Sequence, residues 1–164
     1  MISGGAGARL LRGCVRLFSA VAALAVLVMM GVTCLDIVLR LGGRPLRGTY
    51  DIVRMAGAVA IICAIPHTTA AKGHVAIEFF FHRLNRIGRI VVDTMIRGLC
   101  IALFGFLGWR FIEYGIQLRR LGQVSDTLQI PFFWIPWLTA ASLGLTVLVI
   151  LYHLFHPGRV LVRP

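Results

Sequence analysis

Acidic residues are scarce in this chain: six, against seventeen lysines and arginines in 164 residues. None of the six falls in the middle of an apolar run, which leaves a proton-coupled carrier made of this chain alone without an obvious coupling carboxylate. Also missing are a glycine-rich phosphate loop, an H-E-x-x-H zinc motif and any set of nucleophile, base and orienting residue, so no catalytic constellation stands out. The four cysteines, Cys14, Cys34, Cys63 and Cys100, lie within or beside apolar runs and lack metal-ligand spacing. They read as small packing residues.

What the chain has in excess is apolar length. Hydrophobic residues make up 59% of it, above the roughly 45–50% of a soluble domain, and a membrane is the expected solvent. The net charge of +11 raises the possibility of nucleic acid, but the basic residues are scattered in small groups between apolar runs, as membrane-flanking charges are.

Charges divide the chain. Leu17 to Leu35, Met55 to Ala71 and Thr127 to His153 carry none, and Gly98 to Trp109 gives a shorter fourth run. With about twenty residues needed per crossing, the expectation is an all-α membrane protein in one domain, with four transmembrane helices at about 15–39, 51–72, 90–114 and 131–154. The fourth run reaches membrane length only by taking in Asp93 and Arg97 at one end and Arg110 and Glu113 at the other. Those residues are spaced i,i+4 and i,i+3, as are Asp36 with Arg40 and Asp51 with Arg54, so each pair shares a helix face. Self-neutralised helix ends and contacts between subunits both account for such pairs.

Between spans two and three, Ile77, Phe80, Phe81, Leu84 and Ile87 follow helical spacing, with His82, Arg83, Arg86 and Arg89 on the polar side. This predicts a short amphipathic interfacial helix over about 76–88, with Arg83 and Arg86 as anchors on lipid or a partner; continuation of the third span is the alternative. Arg9, Arg12 and Arg16 before the first run suggest a signal peptide, but the run is long and its small-residue triplets come early, so it reads as a retained helix. Nine basic residues fall on the N-terminal side of the membrane against six on the other, which favours cytoplasmic termini.

On that topology DTLQIPFFWIPW lies outside, at the start of span four. Pro131 suits a first helical turn, Trp134 and Trp137 suit the headgroup level, and Pro136 should kink or delay the helix. Small-residue seams (Ala56, Ala60 and Ala64; Gly98, Ala102 and Gly105; Ala140 and Gly144) allow close helix approach, within the chain or to another. His67 and His153, near the ends of spans two and four, leave a bis-histidine haem anchor as an enzyme-linked alternative, and a self-contained small carrier or channel is a further one.

Three stretches then converge. DIVLRLGGRPLRGTYDIVR holds Arg40, Pro45 and the acid Asp51 that opens span two; KGHVAIEFF follows span two; TLQIPFFW precedes span four. In order and spacing they resemble the small membrane subunit of TRAP (tripartite ATP-independent periplasmic) transporters, the DctQ type, over nearly the whole chain. His74, Val75 and Ile77 match that family's second element, with Glu78 where Asp is usual. Leu128, Ile130 and Pro131 match its third, with Gln129 where Gly is usual. The acid that opens span two is often doubled there and is single here. The resemblance implies a bacterial inner-membrane subunit that binds a large permease subunit, to which a periplasmic binding protein delivers an organic acid or similar solute. Arg40, Pro45, Asp51, Arg54, His74, Val75, Glu78, Leu128, Ile130 and Pro131 become candidate interface residues. Sodium coupling is implied for the large subunit, and no cofactor for this chain.

Overall fold

The computed structural model describes residues 6–71 and 86–155, which form four helices and no strand. Helix α1 covers Ala6–Leu41, α2 Thr49–Ala70, α3 Arg86–Arg120 and α4 Trp134–Phe155. Each contains a stretch long and apolar enough to cross a membrane. The expected class, an all-α protein with four spans, is what the chain adopts.

Two helices outrun the expected spans. α1 has 36 residues and α3 has 35, each about 50 Å at 1.5 Å per residue, against a hydrocarbon core of about 30 Å. Charges set the expected spans, whereas glycines end both helices on the C-terminal side. After α1, Gly43 turns left-handed at φ 73°, and the Gly43 and Arg44 N–H groups donate back to the carbonyls of Arg40 and Leu39 at 3.0 Å each. After α3, Gly122 does the same at φ 60°, with Gly122 and Gln123 donating to Arg119 and Leu118 at 3.3 Å. Both ends are Schellman motifs, which satisfy the last carbonyls of the helix.

α4 begins at Trp134 rather than Pro131. Pro131 is instead bridged to Val124 in the preceding loop, and Pro136 occupies the first helical turn, where its missing N–H has no intrahelical partner to lose. The start of the helix is thus delayed. The short amphipathic helix expected over 76–88 is not borne out: residues 86–88 belong to α3, and the rest lies outside the described residues.

The helices stand in a row. α1 packs along α2, α2 along α4 and α4 along α3, while α1 and α4 touch only sparingly. α2 and α4 run parallel at the centre, joining an α1–α2 hairpin to an α3–α4 hairpin through three ties. At the end nearest the N-terminus, Val15, Ala70 and Val149 are wholly buried, with Leu11, Leu145 and Tyr152 against them. At mid-depth, Pro66 interrupts α2 and deprives the Ile62 carbonyl of its N–H partner. That carbonyl accepts a hydrogen bond from Ser142 Oγ of α4 at 2.5 Å, so a break in one helix becomes a link to the next.

The small-residue seams are used selectively. α3 meets α4 at Gly108 and Gly115 rather than along Gly98, Ala102 and Gly105, where an added Cβ at either glycine would meet nothing within 4 Å. On α2, Ala60 is buried, with Ala56 and Ala64 half-buried. Gly144 on α4 is exposed and open. Cys63 is buried as a packing residue, but Cys34 faces outward from α1.

Candidate functional site

The third tie is built on Asp51. It lies in the first turn of α2, three residues after the left-handed Gly48 cap, where the helix dipole favours a negative charge. The residue is 1% exposed. Its Oδ2 accepts three hydrogen bonds from the loop before α4: one from Ser125 Oγ, one from the Thr127 N–H at 2.9 Å and one from the Leu128 N–H at 3.0 Å. The expected Asp51–Arg54 pair does not form. The loop donors saturate the carboxylate oxygen that faces them, and Arg54 instead lies over the Phe132 ring, 5.2 Å from its centroid.

The loop that Asp51 grips is itself folded. Ser125 N–H donates to the Ile130 carbonyl at 2.9 Å and Phe132 N–H to the Gln123 carbonyl at 3.2 Å, around the Val124–Pro131 bridge. The tip turns through Gln129 at φ 54°, the left-handed region, and Gln129 is the one non-glycine residue with positive φ among those described. Leu128 lies on Gly48, where an added Cβ would approach its side chain to 2.7 Å and where φ is 87°. Gly48 therefore serves both the turn and the close approach. A side chain at Gln129 costs about 1–2 kcal/mol in that conformation, partly offset by the unfolded-state freedom that glycine adds. Gln129→Gly is accordingly expected to raise the melting temperature of the purified subunit by a few degrees, and an unchanged or lower melt would show that the Gln side chain compensates for its backbone.

Beside this hub, Asp36 fixes the other loop. Its Oδ2 accepts from Arg40 at 2.8 Å, as the i,i+4 spacing predicts, and its Oδ1 accepts from the Leu46 N–H at 3.0 Å. Thr49 Oγ1 donates to the Leu46 carbonyl at 3.0 Å, so Leu46, next to the exposed Pro45, is held through both its N–H and its carbonyl. The Arg110–Glu113 pair also forms, at 2.5 Å. For Asp93 with Arg97, the Asp93 side chain lies outside the described residues, and Arg97 Nη1 donates to the His153 carbonyl at 2.8 Å.

Other expected residues divide as follows. His74, Val75, Glu78 and Arg83 lie outside the described residues, and Arg86 opens α3. Ile130 acts through its carbonyl, and Pro131 through the bridge. Trp134 is half-buried. Trp137, expected at the headgroup level, is 36% exposed and packed against protein: its ring meets Phe133 edge-on at 5.3 Å, Arg119 lies over both rings at about 6 Å, and Gly115 of α3 passes beneath it. The sequence reading passed over Ser125, Gly48 and Gly115. A glycine just before the acid that opens span two was the signal for Gly48; nothing local marked the other two.

The hub thus joins the first and third of the three resembling stretches, RPLRGTYD and TLQIP, into one structure. The family model for tripartite ATP-independent periplasmic transporters, DctQ component, matches residues 29–159. The chain belongs to this family. It is a small component of a TRAP transporter and a multi-pass protein of the bacterial inner membrane, and every residue of the Asp51 hub lies inside the matched range. No curated protein and no solved structure matches the chain.

Proposed function

We propose that this DctQ-family subunit is the static, non-catalytic scaffold of its transporter. It holds a large permease subunit in place during sodium-coupled uptake of an organic acid or similar small solute, which a periplasmic binding protein delivers. The observation that carries this reading is the lock at Asp51, where a buried carboxylate binds the α3–α4 loop to the head of α2. With the Ser142 link and the Val15 cluster, the hairpins are tied at both ends and in the middle, which suits a body that stays still beside a moving partner. Solute and coupling-ion sites belong to the large subunit on this reading, and this chain holds no cofactor. The Asp51 end faces the periplasm and both termini face the cytoplasm.

Reconstitution tests the proposal. Vesicles with both membrane subunits and the binding protein should take up solute, and vesicles with this chain alone should not. Full-rate uptake by the large subunit without this chain would remove the scaffold role. A Soret band in the purified chain would favour a haem anchor instead. In a background without native cysteines, a membrane-impermeant thiol reagent should reach Gln123→Cys from outside and Asn85→Cys only from inside; the reverse pattern would invert the orientation.

A further inference from the structure

The two edges of the helix row show the bilayer different chemistry. At the α1 edge, Leu17 to Leu35 contains no charge, and Leu24, Leu27 and Met30 point outward. That edge is apolar throughout this run. At the α3 edge, the outward stripe of Gly98, Ala102, Gly105 and Trp109 is flanked by Arg110 and Glu113, whose side chains are 63% and 39% exposed.

The neighbouring helix gives the depth of that pair. α4 has 22 residues, about 33 Å, close to the roughly 30 Å of hydrocarbon. Gly115 lies against Trp137, and Gly108 against Ala140 and Leu143. Arg110 is therefore level with the second turn of α4, roughly 10 Å inside its Trp134 end, and Glu113 about one turn nearer that end. Ionisable groups at such depth face protein or water rather than lipid, where each costs up to about 3 kcal/mol, and small residues mark faces that let a helix come close.

We propose that the α3 face bearing Ala102, Gly105 and the Arg110–Glu113 pair docks a membrane helix of the large transporter subunit, which offers polar or charged side chains in complementary order. The proposal rests on the transporter reading above. Charge order argues against a second copy of this chain as occupant. Two copies in one membrane share an orientation, so a two-fold contact through α3 would set Arg110 opposite Arg110 and Glu113 opposite Glu113 at equal depths, which repels. A different partner has no such constraint. The lipid-like α1 edge leaves the opposite side of the row to the bilayer.

Photo-crosslinking in membranes that contain the whole transporter tests this. A photoreactive amino acid in place of Leu103 or Phe106 is expected to crosslink to the large subunit, and one in place of Leu24 or Leu27 is not. In addition, the swap R110E/E113R, which keeps the ion pair and reverses its order, should reduce recovery of the large subunit with the tagged chain by tenfold or more while the melt of the isolated chain stays unchanged. Crosslinks from the α1 positions alone, a crosslinked dimer of this chain from the α3 positions, or full recovery with the swapped pair would overturn the assignment. Failure of the unaltered chain to recover the large subunit would remove the transporter reading itself, and this proposal with it.

Discussion

Asp51→Ala is expected to lower the stability of the purified subunit by on the order of 3 kcal/mol, about 6–12 °C in melting temperature. The substitution strips the acceptor from the Ser125 hydroxyl and from the Thr127 and Leu128 N–H groups at once, and a donor that loses its acceptor costs more than a hydrogen bond contributes when formed. Asp51→Asn should fall between the two. Its amide oxygen can take the place of Oδ2, but its NH2 then occupies the Oδ1 position, which is buried and has no hydrogen-bond partner. Ser125→Ala removes one of the three bonds and should cost about 1 kcal/mol. Arg54→Ala separates the two accounts of the acid. If Asp51 and Arg54 were an ion pair, removing both would be milder than removing Asp51 alone; with Arg54 on Phe132, the two losses should simply add. Should Asp51→Ala melt like the unaltered chain yet fail to recover the large subunit, the carboxylate would belong to an interface rather than to the lock.

The sequence revealed what is local. Four crossings follow from run length, and Asp36–Arg40 and Arg110–Glu113 follow from helical spacing, because both partners of each pair lie within one turn. Asp51 had an equally good local candidate in Arg54, but its partner Ser125 is 74 positions away. No spacing argument reaches that far. The same holds for Ser142, which was unremarkable until Pro66 freed the Ile62 carbonyl one helix away. The helices also run beyond the expected spans: α1 begins at Ala6, well before position 15, and α3 continues past 114 until Gly122 turns the backbone. Gln129 was noticed as a departure from a usual glycine, and its positive φ explains why glycine suits that position. Among the small residues, composition alone could not separate glycines that face α4 from glycines that face outward.

That last distinction can be tested by enlarging a glycine. A Cβ at Gly115 would lie 2.4 Å from the Trp137 indole, well inside contact distance, so Gly115→Leu must displace the ring or push α3 from α4. Trp137 is not free to yield at no cost, because Phe133 meets its edge and Arg119 lies over its face. The expected loss is about 1–3 kcal/mol from overpacking, read as a lower melting temperature of the purified subunit, with a changed Trp fluorescence as the ring leaves its neighbours. Gly144→Leu on α4, where an added Cβ would meet nothing within 4 Å, is the matched control and should melt with the unaltered chain. Gly115→Leu combined with Trp137→Ala should regain part of the loss, since the smaller side chain vacates the space that leucine needs, and this coupling between contacting sites is what a double-mutant cycle measures. If Gly115→Leu melts normally and Gly144→Leu does not, α3 and α4 meet through another face, and the depth assigned to Arg110 from the Gly115–Trp137 register falls with it.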